Sequence, residues 1–118
     1  MRIINVKNQY GINVEGPILI EPTLFEDKRG FFFESWNKKQ FNESLGFDID
    51  FVQDNISRSN QSVLRGLHYQ LNPSAQGKLI TVISGSIFDV IVDLRKNSQT
   101  FKSWVGINLN EENKKLLW

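Results

Sequence analysis

The sequence predicts an all-β antiparallel sandwich or barrel, and three observations carry that expectation. Short apolar runs recur from residue 63 onward, parted by turn-forming clusters rich in Gly, Asn and Ser. Nine Phe and three Trp favour a sheet-rich core with aromatic-lined concavities. Only one stretch, residues 37–45, has the pattern of a helix. A chain of 118 residues has room for one domain, spanning 1–118, with a real core.

Taken in order, residues 2–6 form a short edge strand. The run Pro17-Ile18-Leu19-Ile20-Glu21-Pro22 is fenced by prolines, which cannot donate to a ladder, and so belongs at a sheet edge. Glu26-Asp27-Lys28-Arg29-Gly30 is a turn cluster; Phe31-Phe32-Phe33-Glu34-Ser35-Trp36 follows as a strand with bulky groups on both faces. These aromatics, with Phe25, are assigned to the core rather than to a base-stacking platform. The helix at 37–45 has Asn37 as N-cap and Gly46 just past its end. Residues 51–56 are extended and 57–62 a polar loop. Strands are expected at 63–71, 78–84, 87–94 and 104–109, the last with clean alternation. Asp89 and Asp93 lie on one face of an otherwise apolar strand, where a buried carboxylate needs a partner such as backbone N–H or Arg95. Leu116-Leu117-Trp118 is an apolar ending that would ordinarily continue into another strand.

Composition narrows the partners. With 14 Lys+Arg against 13 Asp+Glu, there is no electrostatic reason to propose nucleic acid or a membrane surface. Cysteine is absent, which removes disulfides and thiolate metal sites. No apolar run reaches the length of a membrane span, and the N-terminus lacks the apolar core of a signal peptide, so a cytoplasmic location is expected.

The chemistry concentrates between Gln53 and Lys78. His68, the only histidine, sits in Arg65-Gly66-Leu67-His68-Tyr69-Gln70, with Gln53, Asn55, Gln76 and Lys78 nearby in sequence. One histidine without a supporting cluster does not make a transition-metal site, so metal-free chemistry is expected. Pairing of 63–71 with 78–84 would bring Lys78 beside His68, and two cations near an imidazole keep it neutral and able to accept a proton. Side chains 65 and 68 point to opposite faces of a regular strand, so a bend is required, and Gly66 is where it fits. Gln53 and Asn55, two apart, share a face of an extended segment. Arg29 reads either as part of an ordinary surface turn or as a phosphate ligand.

Four blocks carry a resemblance: I-E-P-T-L-F-E-D-K-R-G-F-F-F-E-S, Q-D-N-I-S-R-S, V-L-R-G-L-H-Y-Q and Q-G-K-L-I-T-V-I-S-G-S-I-F-D-V-I-V-D-L-R. In content, order and spacing they resemble the dTDP-4-dehydrorhamnose 3,5-epimerase family. The resemblance implies a cupin-like double-stranded β-helix (jelly roll) and a homodimer. It also implies an isomerase that needs no cofactor or metal and acts on a dTDP-4-keto-6-deoxyhexose. It casts His68 as the proton-abstracting base and Lys78 as the cation facing the enolate; Arg29, Glu34, Gln53, Asn55 and Arg65 would hold the nucleotide sugar. Family members continue past Leu117-Trp118 into a G-F-A-H-G-F-like segment, then to the tyrosine that donates the opposite-face proton and the carboxylate that orients the base. Tyr10 and Tyr69 do not match that tyrosine. The alternative is a catalytically incomplete nucleotide-sugar-binding or structural domain of the same fold.

Overall fold

The computed structural model describes all 118 residues, which form eight strands and one helix. Two compact units are present: Met1–Ser35 with Lys78–Trp118, and Trp36–Gly77.

The first unit holds every strand. β1 (Arg2–Lys7), β2 (Asn13–Glu21), β8 (Leu116–Leu117) and β5 (Ile80–Thr81) form an antiparallel sheet in the order β1-β2-β8-β5. β6 (Ser86–Val92) and β7 (Trp104–Asn110) make a two-stranded ribbon, and β3 (Phe25–Asp27) and β4 (Gly30–Phe32) a small hairpin. The alternation expected at 104–109 is realised: Val105 and Leu109 of β7 are buried and pack with Val6, Val14, Leu19 and Leu117 from the four-stranded sheet. Each apolar side chain fully buried in this way contributes about 1.5–3 kcal/mol.

The opposite, outward side of the ribbon carries Phe88, Trp104 and Gly106. A Cβ built on Gly106 would lie 2.4 Å from Phe88 Cζ, 2.8 Å from its Cε2 and 3.0 Å from Trp104 Cζ3. The glycine is therefore covered by an aromatic ring that occupies the space of its missing side chain.

β1 is the edge strand the sequence predicts, but the proline-fenced run is not at an edge. β2 is paired on both sides, with β1 and with β8. Pro17 is accommodated because the β1–β2 register shifts between Asn5 and Lys7, whose partners are Ile18 and Asn13. The residues between, Pro17 included, bulge out of the ladder and need no N–H there. Pro22 falls just after the strand ends.

Other expected strands are shorter or missing. Residues 63–71 form no ladder, and of 78–84 only Ile80–Thr81 is strand, paired with β8 rather than with the segment around His68. The strand expected at 31–36 stops at Phe32. Phe25, Phe31 and Phe32 are more than half exposed, since their hairpin has only two strands. They are not core.

Asp93, just after β6, has the partners its burial demands. Its carboxylate, in a residue only 5% exposed, accepts from Arg95 Nε at 2.9 Å, Arg95 Nη2 at 3.0 Å and Arg95 N at 3.0 Å. Ser98 Oγ and Thr100 Oγ1 add bonds of 2.6 and 2.7 Å. Arg95 Nη2 also donates to Glu15 O at 2.6 Å, tying this corner to β2. Arg95, with help from Ser98 and Thr100, holds the Asp93 carboxyl well below the usual carboxylate range against the opposing effect of burial. Asp89 differs. It lies half-buried on the core-facing side of β6 without a hydrogen-bond partner, and burial pushes its carboxyl up. The partner expected for Asp89, backbone N–H or Arg95, is not found; the Arg95 fork is bonded to Asp93.

The second unit contains α1 (Lys38–Leu45), with the caps the sequence predicts. The Asn37 side chain accepts from Gln40 N, and Gly46, at φ +76°, donates its N–H to Asn42 O. Phe41 is the buried residue of the helix and packs with Trp36 and Phe51 at ring separations of 4.9 and 6.1 Å. Trp36 and Phe51 meet edge-on at 4.7 Å, a favoured aromatic geometry.

Candidate functional site

In the first unit, Arg29 stands at the tip of the β3–β4 hairpin. Asp27 pairs with Gly30, leaving Lys28 and Arg29 as the loop. Gly30 has φ +132°, a conformation that side-chain-bearing residues rarely adopt, and this lets so tight a turn close. Asp27 Oδ1 accepts from Arg29 N at 2.8 Å. The same carboxylate holds the guanidinium, through Nη2 at 2.6 Å and Nε at 3.0 and 3.2 Å. Each group stabilises the charge of the other: Arg29 lowers the Asp27 carboxyl pKa, and Asp27 raises that of Arg29. Glu34, after β4, and Lys78, two residues before β5, are both exposed.

In the second unit, Gln53 and Asn55 are on one face, as their spacing predicts. Gln53 Nε2 donates to Asn55 Oδ1 at 2.9 Å, so the two amides act as one polar group with a shared orientation. Arg65 is fixed from the loop before it: Nε donates to Ser59 Oγ at 3.0 Å and Nη2 to Arg58 O at 3.1 Å. The bend predicted at Gly66 is present, with φ +120°. His68 folds back over it, so that a Cβ on Gly66 would lie 3.4 Å from His68 Nδ1. Gly66 thus supplies both the backbone turn and the room for the imidazole.

The placement of the expected residues therefore differs in kind. Gln53 and Asn55 are bonded to each other, Arg65 and His68 flank one bend, and Arg29 sits on a separate hairpin with Lys78 elsewhere in that unit. A hairpin between 63–71 and 78–84, the expected route to a His68–Lys78 pair, is not formed. Two partners escaped the sequence reading. Ser59 lay in a stretch read only as a polar loop. Asp27 lay in a turn, where an Asp two residues before a cation is the signal for a carboxylate that caps the turn and grips the side chain.

Chemically, the second unit carries an exposed imidazole, a cation and two paired amides, residue types suited to a carbonyl compound bearing an anionic handle. The first unit offers two further cations, Arg29 and Lys78.

The sequence profile of the dTDP-4-dehydrorhamnose 3,5-epimerase family matches residues 11–118. A curated relative of that name from Shigella flexneri is 57% identical over 101 residues, covering 86% of this chain and 56% of its own length. The chain spans about half the length of the curated relatives it matches. Among solved structures, the dTDP-6-deoxy-D-glucose-3,5-epimerase of Legionella pneumophila, in complex with dTDP-4-keto-L-rhamnose, superposes with a TM-score of 0.86 at 46% identity. The match covers 99% of this chain and 60% of that one. The dTDP-4-dehydrorhamnose 3,5-epimerase of Bacillus anthracis, with TDP and pyrophosphate bound, gives a TM-score of 0.82 at 48% identity, covering 98% and 64%. With eight strands and one short helix as its regular elements, the chain has the cupin-like jelly-roll fold of these neighbours, as the resemblance in its sequence implies.

Proposed function

Because the chain belongs to the dTDP-4-dehydrorhamnose 3,5-epimerase family, we propose that it supplies the substrate-holding and proton-abstracting part of an epimerase acting on a dTDP-4-keto-6-deoxyhexose. The observation that carries this reading is the 57% identity to the Shigella flexneri enzyme, over a stretch that includes every expected site residue. The hydrogens at C3 and C5 of a 4-keto sugar are both α to the carbonyl. His68 removes one of them as general base, leaving an enolate with its charge on O4. Lys78 faces that oxygen and stabilises charge that exists only after abstraction. Reprotonation from the opposite face inverts the centre. Arg29 and Arg65 take the diphosphate, and Glu34, Gln53 and Asn55 the remaining polar groups, so that binding energy from the handle holds the ring against the base.

The test is hydrogen exchange. In deuterium oxide the 4-keto sugar nucleotide incubated with this chain exchanges its C3 and C5 hydrogens, read by NMR together with the stereochemistry. His68→Asn abolishes the exchange, and Lys78→Ala slows it by about 100-fold or more. A folded chain that binds dTDP but catalyses no exchange would instead be a nucleotide-sugar-binding domain.

The same reading makes the protein a homodimer, to be checked by sedimentation velocity; a well-behaved monomer refutes it. No helix is long and apolar enough to cross a membrane, and a nucleotide-sugar substrate fits the cytoplasmic location expected from the sequence.

A further inference from the structure

We propose that Asp27 is a positioning residue for Arg29, presetting its guanidinium for the diphosphate; this rests on the reading of Arg29 as a phosphate ligand. Arg29 occupies a two-residue loop, and its side chain is 90% exposed. A long side chain in that setting ordinarily samples many rotamers, and ordering it on ligand binding weakens affinity. Here one carboxylate bonds Arg29 at N, Nε and Nη2 and so limits that freedom. Asp27 Oδ1 accepts from Arg29 N at 2.8 Å, which closes the turn. The same group then grips Nε at 3.0 Å and Nη2 at 2.6 Å, folding the side chain back onto its own turn. The contact uses the Nε–Nη2 edge of the guanidinium. The Nη1–Nη2 edge points away, with its N–H groups in the fork that matches two phosphate oxygens. The far side of the hairpin is braced as well, by Lys114 Nζ at 4.4 Å over the Phe31 ring.

Asp27 also brings a negative charge, which opposes an incoming phosphate. That repulsion acts across the width of the guanidinium, between groups open to water and counterions, and is strongly screened. Ordering prevails over repulsion, so removing the carboxylate weakens binding.

The test is calorimetric titration of the 118-residue chain with dTDP, in a double-mutant cycle. Asp27→Asn keeps an oxygen for Arg29 N but loses the ionic grip, and the expected loss of affinity is about 2- to 12-fold, the range for one side chain left to be ordered on binding. In an Arg29→Ala background the same substitution has no effect on affinity. A loss that persists in that background means that Asp27 only shapes the hairpin, and unchanged or tighter binding of Asp27→Asn means that it competes with the ligand; either overturns the inference. If instead Arg29→Ala alone leaves dTDP affinity unchanged, the assignment of Arg29 to the diphosphate fails, and this inference with it.

Discussion

Replacing Asp93 with alanine tests how much of the first unit hangs on one carboxylate. Five donors converge on it: three from Arg95 and one each from Ser98 and Thr100. Breaking a buried ion pair by removing one partner costs about 3–5 kcal/mol when the other charge is left buried. Here the side chain left behind, Arg95, is 52% exposed and re-solvates in part. The Thr100 hydroxyl is buried and loses its acceptor, a cost of about 1–3 kcal/mol if unmet. Taken together, a loss of about 2–4 kcal/mol is expected at neutral pH. With a urea dependence of about 1–2 kcal/mol per molar, the unfolding midpoint drops by about 1–4 M. The pH dependence supplies the sign. Asp93 has a folded-state pKa below its unfolded value, so its contribution is complete above the ordinary carboxylate pKa of about 4 and is lost as pH falls below that toward the folded value. The gap between wild type and Asp93→Ala, measured by urea titration with far-UV circular dichroism, is therefore widest at neutral pH and narrows steadily below pH of about 4. A variant within about 0.5 kcal/mol of wild type at pH 7, or a gap that does not narrow in acid, would refute the reasoning.

Two further perturbations bear on the second unit. Gly66→Ala puts a side chain on a backbone at φ +120° and its Cβ 3.4 Å from His68 Nδ1. It is expected to cost about 1–3 kcal/mol locally and to reduce deuterium exchange of the keto sugar at least about tenfold; an unchanged rate would show that the imidazole does not depend on this bend. Asn37→Ala removes the acceptor of Gln40 N at 3.1 Å and is expected to destabilise α1 by about 0.5–2 kcal/mol. Amide hydrogen exchange should speed up across the first turn of the helix while the amides of β6 and β7 keep their protection.

What the sequence made legible was mostly local. Asn37 and Gly46 fixed the helix because both caps act within a few residues of the chain they terminate. The alternation from Trp104 to Leu109 announced which side of β7 faces the core, since the period of a strand is written residue by residue. Pairing is not written that way. Residues 63–71 have strand composition, but a ladder needs a partner, and the partner of β5 is the distant Leu116–Leu117. Pro17 misled for the same reason: whether a proline is tolerated depends on a bulge set by the neighbouring strand. The aromatic cluster 31–33 looked like core because side-chain type signals a tendency to be buried, not the presence of a covering layer. At the candidate site the residue types were chosen by chemistry and the resemblance; the bend at Gly66 was argued from the period of a strand that does not form, and it is the glycine's freedom at φ +120° that carries it. Asp27 and Ser59 were overlooked because their roles lie in bonds to Arg29 and Arg65, which residue type alone does not announce.

The ring of Phe88 lying over Gly106 has a consequence for how this sequence can drift. The two positions bear on each other: a methyl at 106 meets the ring at 2.4 Å and asks it to move, while a smaller residue at 88 uncovers bare backbone. Because Phe88 is 60% exposed, its ring can swing aside, so the conflict is mild enough for one change to persist until the other follows. Across a lineage the two sites should therefore change hands in pairs, a bulky residue at 88 accompanying glycine at 106 and a compact one at 88 accompanying a substituted 106. The size of one side chain is in effect recorded twice, on neighbouring strands.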